Sequence, residues 1–232
     1  MKILAIDSSS VAGSVALLED GEIKSEYITL DKRTHSETLL PLIDKLKGDA
    51  GLDLSSLDAI AITGGPGSYT GLRIGGATAK GLGLALGKPI VNVPTMEALA
   101  YNVVGSDILV CPMMDARRER VFTGLYKFDG EKIITIKDQC VLTIDELVDA
   151  IDEEVIFLGD GVDAYHDLLD EKMSANHSFA DEDDNHVKAS SFAHLAKVYF
   201  DEGKVMSADD FAPDYLMLSQ AERELKEKQR ND

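Results

Sequence analysis

Residues 61–89 read AITGGPGSYTGLRIGGATAKGLGLALGKP. The apolar run DAIAITGG (58–65) predicts a buried strand that ends in a glycine-rich turn. A helix is then expected from about Tyr69 to Leu86. Its most unusual property is the recurrence of Gly71, Gly75, Ala79, Gly83 and Gly87 every four residues. Glycine costs about 1 kcal/mol in a helix interior relative to alanine. Residues four apart share one face, so the stripe predicts close approach of another element, either from within the chain or from a second subunit. The turn matches none of the familiar phosphate or nucleophile patterns. Lys80 lies between Ala79 and Gly81, so there is no Gly-Lys-Ser/Thr triplet. Counting from Gly65 and Gly67, Thr70 stands where a dinucleotide fingerprint needs glycine. Ser68 lacks the flanking glycines of a nucleophile elbow. What remains is a strand–turn–helix unit whose free amides could meet an anion, or a turn that lets strand and helix pack tightly.

Outward from this stretch, the chain alternates strands and helices in two similar series. Residues 2–7 form an apolar strand ending at Asp7, and 14–30 form two strands joined at Asp20-Gly21, a hairpin signal. THSETLLPLIDKLKGDAG (34–51) predicts a helix with a Thr34/Glu37 capping box, an end at Gly48, and a kink or late start at Pro41. Strand 88–94 and helix 95–103 close the first half. The second half repeats the opening: an apolar strand ends at Asp115, and Asp129-Gly130-Glu131 echoes Asp20-Gly21-Glu22. Helices are expected at 143–152, 162–173, 189–203 and 218–232, with a strand at 154–161 and an acidic loop at 174–187. The order predicts a duplicated α/β protein of the ribonuclease-H-like class, the fold of actin, sugar kinases and heat-shock ATPases, with mixed sheets flanked by helices. The domain boundaries expected are 1–104 and 105–232.

The formal net charge of −19 repels a phosphate backbone and argues against this chain as the principal grip on nucleic acid. No apolar run is long enough to span a membrane. The start MKILAIDSSS reads as a strand rather than a signal peptide, so a cytoplasmic protein is expected. Cys111 and Cys140 are expected as free thiols. The five histidines form no HxxxH pair, and no metal site is expected. Asp7 and Asp115 occupy strand ends, positions that face the nucleotide cleft in actin-like folds and that equally serve as turn caps.

MKILAIDSSS, THSETLLPLID, GGPGSYTGLRIG and PIVNVPTMEALA, in this order and spacing, resemble the bacterial TsaB family, formerly YeaZ. The likeness is densest over residues 1–104. The family is a non-catalytic relative of TsaD, which transfers a threonylcarbamoyl group to the adenosine beside the anticodon of tRNAs reading codons that begin with A. TsaD-type enzymes carry two metal-binding histidines four residues apart, and Thr95 and Leu99 stand at the matching positions here. A leucine cannot ligate a metal, so the resemblance implies an accessory subunit rather than an enzyme. It further implies pairing with TsaD, work alongside the ATPase TsaE, and a homodimer when the chain is alone. In this picture tRNA is met only indirectly, no cofactor is required, and a nucleotide at the TsaD interface is compatible with the fold. The implied interface comprises His35, Leu39, Leu42, Ile43, Leu46, Leu72, Ile74, Gly75, Ala79 and Gly83, and TsaD and a second copy would compete for it. Gly75→Glu or Gly83→Glu would then break pairing and leave the fold intact. A vestigial nucleotide or phosphate contact would fall at Asp7, Gly65, Gly67, Ser68 and Asp115. The alternative is an independent actin-fold ATPase or phosphotransferase using Asp7, Asp115 and the glycine turns at 64–67 and 159–161. A peptidase would need a metal that these residues do not supply.

Overall fold

The computed structural model describes residues 1–30 and 34–217; the helix expected at 218–232 lies outside the described residues. Two five-stranded mixed sheets are built from ten strands in the same way. In the first, β1 (Lys2–Asp7), β2 (Gly13–Glu19), β3 (Glu22–Thr29), β4 (Ala59–Gly65) and β5 (Ile90–Pro94) lie in the order β3-β2-β1-β4-β5. In the second, β6 (Leu109–Asp115), β7 (Arg120–Asp129), β8 (Lys132–Thr143), β9 (Val155–Leu158) and β10 (His177–Phe179) lie in the order β10-β9-β6-β7-β8. Read from the other edge, the second order is β8-β7-β6-β9-β10, the same topology repeated. The β1–β2 and β2–β3 pairs are antiparallel and β1–β4 and β4–β5 are parallel, as the repeated hairpin and crossover pattern requires. β10 lies inside the stretch expected as an acidic loop, which therefore contributes an edge strand.

β1 alternates its faces. Leu4 and Ile6 pack with Leu39, Ile43 and Leu46 of α1 (His35–Ala50) and with Ala79 of α2 (Tyr69–Leu86). Ile3 and Ala5 pack on the opposite side with Phe192, Leu195 and Ala196 of α6 (Ala189–Asp201). The Thr34/Glu37 capping box forms, as does that of Thr143 and Glu146 at the start of α4 (Ile144–Asp149). α1 runs unbroken through Pro41 and past Gly48 to a left-handed cap at Gly51, φ 60°. Seven residues in, the proline forfeits one hydrogen bond, and the buried Leu39–Ile43–Leu46 side holds the helix on the sheet.

The expected boundary at 104/105 separates the two sheets but not the helices that cover them. α3 (Thr95–Ala100), from the first half, packs on β6 and β7 as well as on its own sheet, and α6, from the second half, packs on β1, β2 and β5. α5 (Asp160–Lys172) covers β6 and β9. Beyond α6 the chain crosses the first half again. Met206 and Ile90 exchange backbone bonds of 2.9 Å each, and Asp214 N–H donates to Gly64 O at 2.7 Å. Residues 189–215 therefore belong structurally with the first sheet. The sequence places them with the second half because they come after it in the chain.

Candidate functional site

Asp7 ends β1 fully buried. Its Oδ1 accepts from Ser9 N–H at 3.1 Å and from the Thr63 hydroxyl at 2.5 Å, while Oδ2 has no partner. Burial raises its pKa, against the lowering effect of these hydrogen bonds. A carboxylate whose pKa is raised by folding contributes stability that is fully present below its unfolded value of about 3.9 and is lost as pH rises through the folded value. Asp7→Asn keeps the Oδ1 acceptor and removes the charge. It is expected to stabilise the protein at neutral pH, with the gain shrinking toward pH 4. Urea unfolding at pH 4.5 and 7.5 checks this, and a gain of equal size at both pH values would contradict it.

Asp115 ends β6 at the equivalent place but is only half-buried. Its Oδ1 accepts from Arg117 N–H at 2.8 Å and from the Tyr165 hydroxyl at 2.9 Å, and its own amide donates to Asp160 Oδ1 at 3.1 Å. Burial also raises the pKa of Asp160. Between the two halves lies a cleft of about 780 Å³, whose walls include Ser9, His35, Ser68, Asp115, Arg117 and Asp160. The two strand-end aspartates thus part company: Asp115 lines this cleft, while Asp7 sits behind Ser9 and forms no part of its wall.

Sequence reasoning did not single out Arg117, Asp160 or Asp163, all of which line the cleft. Arg117, Arg118 and Glu119 adopt φ of 68°, 59° and 55°, three consecutive left-handed residues without a glycine. Each such residue costs on the order of 1 kcal/mol or more. The available signal was DARRER (115–120), a turn between two strands that carries arginines where glycine would be the relaxed choice.

Part of the hydrogen-bonding capacity of the glycine turn is used within the chain. Gly65 N–H donates to Thr95 Oγ1 at 3.1 Å and Ser68 N–H to Ser9 O at 2.7 Å, while Ser68 Oγ caps α2 by accepting from Gly71 N–H at 3.2 Å. A Cβ at Gly67 would lie 2.4 Å from Ser9 O, and one at Gly65 would lie 2.2 Å from Asp214 O. The turn glycines therefore let two backbone segments approach. Two of the donors in the phosphate contact expected at Gly65, Gly67 and Ser68 are thus bonded within the chain, while Gly67 and Ser68 line the cleft.

The small-residue stripe of α2 also faces inward. A Cβ at Gly71 would meet Ser8 O at 2.0 Å, one at Gly75 would meet Ser8 Oγ at 2.2 Å, and one at Gly83 would meet Ala208 Cβ at 2.8 Å. Ala79 is fully buried. Of the residues expected at an interface, Gly75, Ala79 and Gly83 thus lie against Ser8, Ile62 and Ala208 of the same chain. Leu39, Ile43, Leu46 and Leu72 are likewise core residues, at 1%, 3%, 0% and 3% exposure. Leu42 and Ile74 are half-buried, and His35 turns to the cleft with Nε2 2.8 Å from Ser10 O. The surface that α1 and α2 leave outside is a different set. Leu40 and Leu84 are more than half exposed, at 56% and 54%, and Arg73, Ala77, Gly81 and Ala85 are exposed along α2.

Thr95 is fully buried and Leu99 is 1% exposed, wedged against the second glycine turn, where a Cβ at Gly159 would meet Leu99 Cδ2 at 2.8 Å. Leu99 thus serves packing between the halves, while Thr95 Oγ1 accepts from Gly65 N–H within the first half. Among the described residues no group of three or more His, Cys, Asp or Glu is placed to hold a metal ion. Cys111 is a buried free thiol, its pKa pushed up to about 12 by burial, with Sγ 3.3 Å from Thr123 Oγ1. No helix among the described residues is long and apolar enough to cross a membrane.

Comparison with known proteins points the same way. The model of the TsaD family, tRNA N6-adenosine threonylcarbamoyltransferase, matches residues 23–225. The Bacillus subtilis tRNA threonylcarbamoyladenosine biosynthesis protein TsaB is 34% identical over 99% of this chain and 100% of its own length. Its Escherichia coli counterpart of the same name is 30% identical over 97% of this chain and 98% of its own. Among solved structures, YeaZ from Pseudomonas aeruginosa superposes with a TM-score of 0.79 at 27% identity, covering 92% of this chain and all of that one. A second Pseudomonas aeruginosa structure, of a protein described as similar to peptidase YEAZ, gives 0.79 at 29% identity over 93% and 99%. Its two mixed sheets of the same strand order, flanked by helices, give this chain the duplicated ribonuclease-H-like fold.

Proposed function

This chain belongs to the TsaB (YeaZ) family of tRNA threonylcarbamoyladenosine biosynthesis proteins, and from that premise we propose that it is the accessory, non-catalytic subunit of the threonylcarbamoyl-transfer complex. In that role it binds and supports TsaD in the cytoplasm, together with TsaE, and meets tRNA only through its partners. The observation that carries the reading is the full-length likeness to TsaB proteins on a scaffold matched by the TsaD family model. The mostly small or apolar outer side of α2 supports it.

The partner surface is set by what α1 and α2 leave exposed. α2 contains no acidic residue, although the whole chain has a net charge of −19. Ala77, Gly81 and Ala85 put little side chain between α2 and an incoming helix, and Leu40 and Leu84 offer apolar surface beside it. A second copy of the chain uses the same surface when TsaD is absent, so the two associations compete. Leu84→Glu places a charge on this surface without touching the core. It is expected to weaken TsaD binding by tenfold or more, about 1.4 kcal/mol, and to leave thermal stability within about 0.5 kcal/mol of wild type. Calorimetric titration against TsaD, with size exclusion of the chain alone, checks both. Undiminished binding by Leu84→Glu and Leu40→Glu together would remove α1 and α2 from the interface.

One observation favours a second reading, a nucleotide-binding role. The cleft is large enough for a nucleotide, and Asp160 lines it together with Arg117, whose Nε lies 3.8 Å from Asp115 Oδ2. Calorimetry of the isolated chain with ATP and magnesium separates the two readings, since tight binding with turnover would make this chain an enzyme in its own right.

A further inference from the structure

One charged group stands on the outward side of α2. The helix carries two cationic residues, Arg73 and Lys80, and Lys80 turns away to donate to Asp209 O at 2.9 Å and Phe211 O at 3.0 Å. Arg73 is exposed, yet it is held from two directions. Its guanidinium lies 4.1 Å above the Tyr69 ring and donates from Nη2 to the Tyr69 hydroxyl. From the other side, Nε donates to the Tyr215 hydroxyl at 3.1 Å, with the Tyr215 ring centroid 5.9 Å away. The two tyrosines lie against each other at 4.7 Å. Tyr69 comes from the first turn of α2. Tyr215 comes from the far end of the chain, delivered by the 206–215 segment that Asp214 pins to Gly64.

The chemistry of the guanidinium decides what this clamp is for. An arginine side chain has five N–H donors in a rigid plane. The tyrosines occupy the edge formed by Nε and Nη2, which leaves the terminal edge, Nη1 with the second proton of Nη2, pointing away from them. That edge matches the two oxygens of a carboxylate. Among the described residues no carboxylate lies within ion-pair distance of Arg73, in a chain with 42 acidic side chains. A freely moving arginine would sacrifice rotamer entropy on meeting a partner; one already stacked and hydrogen-bonded sacrifices less. Pre-set arginine and tyrosine side chains are also the residue types that dominate the energetics of protein interfaces.

We infer that Tyr69, Arg73 and Tyr215 form a preassembled anchor that takes a carboxylate of the TsaD-type subunit, and that Tyr215 is a positioning residue through which the C-terminal segment sets the partner surface of α2. The inference rests on the accessory-subunit reading above. It adds to it the identity of the polar contact and a reason for the chain to return across α2 after its second half is complete.

The test uses the full-length chain and TsaD from the same organism, titrated at two salt concentrations. Wild type is expected to bind more weakly at high salt, as a charged contact requires. Arg73→Gln is expected to lose tenfold or more in affinity and most of that salt dependence. Tyr215→Phe keeps the ring, loses the acceptor, and is expected to fall between. Tyr215 is 38% exposed, so none of these changes removes core, and melting curves check that the variants fold. If Arg73→Gln binds like wild type while Leu84→Glu is impaired, the anchor is overturned and the interface stands. If Tyr215→Phe and Tyr215→Ala lower the melting temperature but not the affinity, Tyr215 only fastens the chain end and the positioning role is overturned. If wild type itself does not bind TsaD, the interface reading falls and the anchor falls with it.

Discussion

Gly75→Glu is expected to unfold the protein. A Cβ at this position would stand 2.2 Å from Ser8 Oγ and 3.1 Å from Ile62 Cδ1. Ser8 has little room to yield, being buried with its hydroxyl donating to Gly71 O at 2.9 Å. The first added atom therefore pushes α2 away from β1 and β4. The rest of the glutamate side chain would then carry a charge into a space lined by Ile62 and its neighbours. Overpacking costs about 1–3 kcal/mol, and an unpaired buried charge adds several more. The sum approaches the whole stability of an ordinary domain, roughly 5–15 kcal/mol. Far-ultraviolet dichroism and soluble yield are the measurements, with Leu84→Glu on the opposite side of the same helix as the control. A Gly75→Glu protein that melts within a few degrees of wild type would show that the helix can lift from the sheet at little cost. The same result rules on the sequence-level expectation that this change would break pairing alone. If the protein unfolds, loss of a partner from Gly75→Glu says nothing about an interface.

The second large effect is expected at Phe211. Its ring is 2% exposed and joins the core between the first sheet and α2, with Ala208 beside it. A Cβ at Gly76 would lie 3.0 Å from Phe211 Cε1, so the helix is shaped to receive the ring. Removing a buried phenylalanine ring costs about 3–5 kcal/mol. Phe211→Ala is therefore expected to lower the melting temperature by on the order of 10 °C for a chain of this size. Val205, 40% exposed on the same segment, provides the comparison, since Val205→Ala is expected to stay close to wild type. A Phe211→Ala protein within about 1 kcal/mol of wild type would mean that the segment lies on α2 without bracing it.

These two positions also show what the sequence carried and where it fell short. The strand–turn–helix unit at 58–86, the Asp20-Gly21 hairpin and the Thr34/Glu37 capping box were legible because each is a local matter of a few residues and their backbone angles. Asp20 and Gly21 do take positive φ, 53° and 85°, as a tight hairpin demands. The repeat was legible because Asp7 and Asp115 end strands of the same rank in two sheets of the same order. The glycine stripe was seen but its direction was not. Spacing four residues apart says that one face is bare, and it is silent on what lies against that face. Here the answer comes from Ser8 at one end of the chain and Ala208 near the other, separated from the stripe by 63 or more residues at one side and over a hundred at the other. Arg73, Tyr69 and Tyr215 were hidden for the same reason: their meeting depends on a chain reversal that no window of sequence contains.

The crossing of α3 and α6 has a consequence for how such a protein could have arisen and what it can still become. Among the described residues each half lends its last α-helix to the other, so neither sheet is clothed by its own half alone. A gene duplication that began as two similar units has been sewn together, as two coats buttoned each into the other cannot be worn apart. The second half cannot be shed to leave a smaller working subunit, because Phe192, Leu195 and Ala196 would go with it and strip Ile3, Ala5, Ala16 and Leu18 bare. Inheritance of this chain is therefore all or nothing.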